Sequence, residues 1–193
     1  MKEDSENNMK SDLPNKLTAF RLVCIPLVII FLSFHDPWSS FFAAFFIGMA
    51  FFTDALDGYY ARKYGAVTVL GKFLDPLADK ILVTISMIML IPLGRIPILM
   101  VIVIISRELA VTGLRSIAIN EGIVIQSSQL GKYKTIFQAV AILGLALHYK
   151  YLEVDFHVVG MVFLWASLIL TLWSGWAYFR SFYKVFSSEK EGK

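Results

Sequence analysis

Asp54-Ala55-Leu56-Asp57-Gly58-Tyr59-Tyr60-Ala61-Arg62, then eight residues, then Gly71-Lys72-Phe73-Leu74-Asp75-Pro76-Leu77-Ala78-Asp79: this stretch decides how the chain is read. It sets four carboxylates where one apolar segment ends and the next begins. Asp54 and Asp57 are three apart and Asp75 and Asp79 four apart, so each pair shares one face of a helix. Two helices joined by a short polar loop can turn those faces toward each other. Four carboxylates gathered this way repel unless cations neutralise them. An all-oxygen donor set suits hard divalent ions such as Mg²⁺ or Mn²⁺. The expectation is a two-metal site at a membrane surface.

Composition supports the membrane. Of the 193 residues 57% are apolar and 17% charged, mean hydropathy is +0.65, and the charges cluster between apolar runs. Six such runs are expected to be helices, near residues 18–34, 38–61, 75–91, 97–119, 131–149 and 157–182. The fold class is therefore all-α: an integral membrane protein with a bundle of six transmembrane helices. A short amphipathic interfacial helix over Leu13–Thr18 precedes them. Residues 1–11 are expected to be a disordered cytoplasmic tail, 12–186 the membrane domain, and 187–193 a polar C-terminal tail. The first 17 residues lack the apolar core of a secretory signal. A net charge of +3 is too small to imply nucleic acid as a partner. Cys24, the only cysteine, excludes an internal disulfide and reads as an inert packing residue.

Basic residues orient the bundle. With both termini on one side, that side carries sixteen of the eighteen Lys and Arg, and the other only Arg95 and Lys150. The asymmetry places both termini, and the four aspartates, on the cytoplasmic side. A carboxylate at mid-membrane costs roughly 2.5–3.5 kcal/mol on the insertion scale, and less near the interface. Such residues persist for pairing, ion binding or catalysis. Asp75-Pro76 also admits a local reading, as N-cap and first-turn proline of the third helix.

The spacing Asp54-x-x-Asp57-Gly58-x-x-Ala61-Arg62, eight residues, Gly71-x-x-x-Asp75-x-x-x-Asp79 resembles the full signature of the CDP-alcohol phosphatidyltransferases. The resemblance implies displacement of CMP from a CDP-linked lipid by an alcohol. It implies that Asp54, Asp57, Asp75 and Asp79 hold two divalent cations, Mg²⁺ or Mn²⁺, and that Asp79 is the general base. It further implies a CDP-lipid pocket of Gly58, Ala61, Arg62, Gly71 and Lys72, touched by Asn15 and Thr18. The same likeness suggests a homodimer; with the charge asymmetry, the expected setting is among the lipids of a bacterial cell membrane, with the active site facing the cytoplasm. Physical logic agrees, since phosphoryl transfer needs charge neutralisation and in-line placement. A carboxylate with a reference pKa of about 3.9 is a weak base, so positioning of the hydroxyl must contribute.

Three further motifs resemble one branch of that family, the phosphatidylglycerophosphate synthases. They are Asn15-Lys16-Leu17-Thr18-x-x-Arg21, Ser106-Arg107-Glu108 through Thr112-Gly113-x-Arg115, and Gly131-Lys132-x-Lys134-Thr135. The branch implies CDP-diacylglycerol as donor and sn-glycerol 3-phosphate as acceptor. Charge supports an anionic acceptor independently. On a helix Arg107 and Arg115 stand about 80° apart in rotation and about 12 Å apart along the axis. They can line one wall of a cavity, with Lys132 and Lys134 arriving from the next helix. Arg107, Arg115, Lys132 and Lys134 are thus the candidate acceptor-phosphate residues. The plainer alternatives are an Arg107–Glu108 structural pair and positive-inside flanks for the rest.

Other features read as structural. The four tryptophans and Tyr149, Tyr151, Tyr178 and Tyr183 suit interface belts or packing, and the last span looks generic. His35, His148 and His157 fall at the outer surface, where metal ligation is not expected. Gly144 or Ala166 with Gly160 suits close helix contact. Two readings from other classes compete. A cation transporter would want its carboxylates at mid-membrane, and a scaffold would pair them with Arg62, Lys63, Lys72 and Lys80. Within the family, serine, inositol phosphate and phosphatidylglycerol are the rival acceptors. Serine, a small zwitterion, needs no extra basic cluster. No nucleophile stands at suitable spacing, so direct displacement is expected.

Overall fold

The computed structural model describes the backbone of residues 19–64, 69–120 and 129–191, and the side chains of 19–56, 77–119 and 131–183. The expected tail at 1–11, the interfacial helix, Asn15 and Thr18 lie outside the described residues. Six helices occupy most of the described chain: α1 (Ala19–Leu32), α2 (Pro37–Tyr64), α3 (Val69–Leu90), α4 (Ile98–Asn120), α5 (Gln129–Leu147) and α6 (Phe156–Glu191). A small antiparallel hairpin, β1 (Lys150–Tyr151) and β2 (Val154–Asp155), joins the last two helices.

Asp36-Pro37 uses the N-cap signal that was also open to Asp75-Pro76. The Ser39 backbone N–H donates to Asp36 Oδ2 at 2.8 Å, and Pro37 fills the first helical position. Asp75 is not such a cap. α3 already starts at Val69, so Pro76 lies within the helix, and the N-cap reading of Asp75 is corrected. The apolar Val69, Leu70, Phe73 and Leu74 carry the helical pattern upstream of it, and Pro76 removes one backbone donor from the ladder. α6 likewise continues to Glu191, into residues expected to form a polar tail.

Turn chemistry closes the other end of the bundle. α3 is stopped by Gly94 at φ +67°, whose N–H donates to Ile91 O at 2.9 Å while Arg95 N–H reaches Leu90 O at 3.1 Å. That is the paired pattern of a Schellman cap. Arg95 then turns inward and is almost wholly buried. It donates to Ala146 O at 2.7 Å, Leu145 O at 3.4 Å and Ser40 Oγ at 2.8 Å, and it lies over the Tyr149 ring. One guanidinium therefore caps the open carbonyls of α5 and ties α5 to α2. Tyr149 and Tyr151 hydroxyls donate to His35 O and Pro37 O, each at 3.1 Å, so all three turns at this end are knitted together.

The hairpin had no counterpart among the sequence expectations. Its two turn residues, Leu152 and Glu153, both take positive φ, 50° and 65°. Such a turn normally advertises itself with Asn-Gly or Gly-Gly. Here neither residue gives that signal.

Apolar side chains of α1 to α5, with Leu164 of α6, form one buried core, and Cys24 packs inside it. The tightest contact is between α5 and α6. A Cβ on Gly144 would lie 2.9 Å from Gly160 Cα, and one on Gly160 would lie 2.7 Å from Leu145 N. The glycine pair lets the two backbones meet. The exterior is apolar as well: Val23, Leu99, Ile119 and Val162 all face outward, and all four tryptophans are exposed. A surface of that kind marks membrane association. Pro37–Leu56 and Phe156–Tyr183 are each long and apolar enough to cross a bilayer. Asp54 sits near the end of the first of these stretches.

Candidate active site

At the end of the bundle away from Arg95, α3 to α6 and the last apolar turns of α2 enclose a cavity of about 770 Å³. Asp54 and Asp79 open onto it from α2 and α3. Arg107 and Arg115 line it from α4, and Lys132 and Lys134 from α5. The structure thus brings two of the four aspartates and all four candidate acceptor residues to one space. Asp57, Gly58, Ala61 and Arg62 continue α2 beyond Asp54, and Gly71, Lys72 and Asp75 precede Asp79 on α3. The side chains of those seven lie outside the described residues.

Further charged and polar residues in or beside the cavity surround the expected ones. Arg21, wholly buried in α1, pairs with Asp54 Oδ1 at 2.9 Å. Lys80 donates to Thr112 Oγ1 at 2.7 Å, linking α3 to α4. Glu108 forms an ion pair with Lys134 and stands 3.5 Å from Arg107 Nη1. The Arg107–Glu108 structural pair is therefore present, but as part of a wider group that includes Lys134. α6 is not generic either. Ser174 accepts from Arg107 Nη2 at 2.9 Å, and Tyr178 turns its ring to Arg115 with the guanidinium carbon 5.8 Å from the centroid. Tyr178 is a cavity residue, not a belt residue. Only the aromatic character of position 178, next to a basic cluster, hinted at it.

Five basic and three acidic described side chains line the cavity, an excess of two positive charges. Such a space attracts dianions, and arginine recognises phosphate through its planar fork. The acidic edge has different chemistry. Asp54 and Asp79 supply oxygen donors from facing helices, with Asp57 and Asp75 one turn away on the same helices. The carboxylate oxygens of Asp54 and Asp79 are of the type that suits hard divalent cations. Among the described residues Asp54 and Asp79 are the two aspartates at this edge, and no group of three or more His, Cys, Asp or Glu gathers there or elsewhere.

A helical protein with an apolar exterior, and with an acidic edge and a basic wall in one cavity, points to a class: a membrane-associated enzyme of phosphoester transfer. The chain belongs to the CDP-alcohol phosphatidyltransferase family, whose pattern its residues 11–173 match. It is 42% identical to a Bacillus subtilis (strain 168) protein named CDP-diacylglycerol–glycerol-3-phosphate 3-phosphatidyltransferase, over 87% of this chain and 93% of that one. A Rickettsia bellii protein of the same name is 37% identical, over 92% of this chain and 100% of its own length. A Mycobacterium tuberculosis protein named probable phosphatidylglycerophosphate synthase is 39% identical, over 86% of this chain and 78% of that one. The expected family and branch are both borne out by these likenesses.

Proposed function

We propose that the chain transfers the phosphatidyl group of CDP-diacylglycerol to sn-glycerol 3-phosphate, giving phosphatidylglycerophosphate and CMP. One observation carries this reading: the single cavity that joins Asp54 and Asp79 to Arg107, Arg115, Lys132 and Lys134. The relatives' names supply the same donor and acceptor.

The cavity divides the work. Arg107, Arg115, Lys132 and Lys134 hold the acceptor phosphate and leave its free primary hydroxyl directed toward Asp79. That oxygen attacks the phosphorus bearing the diacylglycerol, the bond to the CMP phosphate breaks, and CMP leaves with its electron pair. Asp79 takes the hydroxyl proton. Asp54, Asp57, Asp75 and Asp79 would hold two divalent cations, which supply neutralisation of the pyrophosphate and polarisation of the hydroxyl. Arg21 holds Asp54 in place and offsets its repulsion from Asp79. Gly58, Ala61, Arg62, Gly71 and Lys72 are assigned to the CDP portion. Two of the cavity hydroxyls already donate to carbonyls of their own helices, Thr112 Oγ1 to Glu108 O at 2.7 Å and Ser174 Oγ to Leu170 O at 2.6 Å, which supports direct displacement over attack by either of them.

In this reading six helices span the bilayer, and both termini and the cavity face the cytoplasm. Supporting this, Asp54 falls at the end of an apolar stretch of membrane length, and the acyl chains can stay in lipid beside it. CMP release by the detergent-purified protein tests the proposal. CDP-diacylglycerol and a divalent cation are supplied with sn-glycerol 3-phosphate, serine, inositol phosphate or phosphatidylglycerol in turn. Release with sn-glycerol 3-phosphate alone, lost in Asp79→Asn, is expected. Release with another acceptor instead would refute the assignment.

A further inference from the structure

Arg107 is held from α6 as well as from its own helix. Its Nη2 donates to Ser174 Oγ at 2.9 Å, and the Ser174 hydroxyl proton goes to Leu170 O at 2.6 Å, one turn back. The serine oxygen is thereby left as an acceptor aimed at the guanidinium. The next residue, Gly175, lies against the same side chain. A Cβ there would stand 3.0 Å from Arg107 Nε and 3.1 Å from its Cγ. At such separations a methyl group forces the arginine stem to give by a few tenths of an ångström. Nε is buried with no hydrogen-bond partner among the described residues, so packing rather than a hydrogen bond locates that part of the stem.

We infer that Ser174 and Gly175 form a seat on α6 that positions Arg107 for an anionic, phosphate-bearing acceptor. The inference rests on the proposed reaction and deepens it. Gly175 touches no substrate; it is a positioning residue that acts through Arg107. The mechanism is geometric. A guanidinium grips phosphate by paired, coplanar hydrogen bonds, so its orientation matters as much as its charge. Ser174 fixes one nitrogen, Glu108 stands 3.5 Å from the other, and Gly175 admits the stem between them. The aspartates lie on α2 and α3, away from α6, so a shift of Arg107 should fall on the acceptor and spare the CDP-lipid.

The test uses the full chain in detergent and reads CMP release while CDP-diacylglycerol and sn-glycerol 3-phosphate are varied in turn. Gly175→Ala should raise the acceptor KM on the order of tenfold or more, with the CDP-lipid KM unchanged to about twofold. Gly48→Ala is the control, because its Cβ meets only Leu143 Cδ2 at an ordinary 3.6 Å. On an Arg107→Ala background, Gly175→Ala should add nothing, because no stem remains to displace. Equal rises in both KM values, or losses that multiply in the double variant, would overturn the inference. Should Gly175→Ala fail to give a monodisperse protein, Ser174→Ala in the same cycle decides by the same two criteria. Failure of the underlying reaction would show separately, as wild-type protein that releases no CMP with sn-glycerol 3-phosphate, and would remove the inference with it.

Discussion

Glu108 of α4 and Lys134 of α5 meet in an ion pair in the cavity wall, and the cation is the deeper partner, 7% exposed against 27% for the carboxylate. Their burial predicts unequal consequences. Removing Glu108 strands a cation that has little access to water, whereas removing Lys134 leaves a carboxylate that water and Arg107 can still reach. Glu108→Ala should therefore cost about 2 kcal/mol, below the range for a fully buried pair because the site is partly open. Lys134→Ala should cost less than half of that. Unfolding in detergent micelles measures both, and equal costs would contradict the asymmetry.

Arg95 predicts a stability effect without a catalytic one. Arg95→Met leaves Ala146 O, Leu145 O and Ser40 Oγ without their shared donor. The loss should be about 3 kcal/mol, since hydrogen bonds to charged groups exceed neutral ones. Both KM values should stay unchanged, because the cavity lies at the opposite end of the bundle. A selective change in either would show that Arg95 does more than hold the turns together.

The α5–α6 crossing predicts a contrast between two glycine substitutions. Gly160→Ala brings a methyl to 2.7 Å from Leu145 N and must push the helices apart, costing about 2 kcal/mol by overpacking. Gly48→Ala meets only an ordinary van der Waals contact with Leu143 and should be neutral or stabilising by up to about 1 kcal/mol through helix propensity. Comparable melting temperatures for the two variants would rule out the close crossing.

Acid should weaken the end of the bundle that carries the hairpin. His148 Nδ1 lies 3.2 Å from His157 Nδ1. Burial, followed by the positive charge of Arg95 and by His157, holds the His148 pKa below its ordinary value, against the opposing pull of Asp155. The unfolded chain, with histidine near pKa 6.5, then binds a proton that the folded chain does not. Stability present above about pH 6.5 is lost as the pH falls through that value toward the lower folded pKa. Melting temperature should drop between about pH 7.5 and 5.5, and His148→Asn should flatten the slope. An undiminished slope in that variant would assign the effect elsewhere.

Much of this was legible locally. Apolar runs located the six helices, and the spacing of the aspartates and of Arg107, Arg115, Lys132 and Lys134 marked residues of which Asp54, Asp79 and those four meet in the cavity. What stayed hidden depended on tertiary neighbours. Ser174 lies 67 residues from Arg107, and Lys134 lies 26 from Glu108, so no local pattern announces either contact. Asp75-Pro76 misled because an Asp-Pro pair carries the same signal whether or not apolar residues upstream extend the helix, and Val69 to Leu74 do. The hairpin was invisible because Leu152 and Glu153 adopt a turn that their side chains do not favour. Gly175 carried no signal of its own, since only the Arg107 stem packed against it gives it a role.

One cavity is proposed to serve two substrates through separate walls. Steady-state kinetics of Arg107→Ala, with the acceptor and the CDP-lipid varied independently, decide whether it does. The sn-glycerol 3-phosphate KM should rise about 10- to 100-fold, from loss of a charge-assisted pair, with little change in the CDP-diacylglycerol KM. Equal effects on the two substrates would contradict the division of the cavity between them.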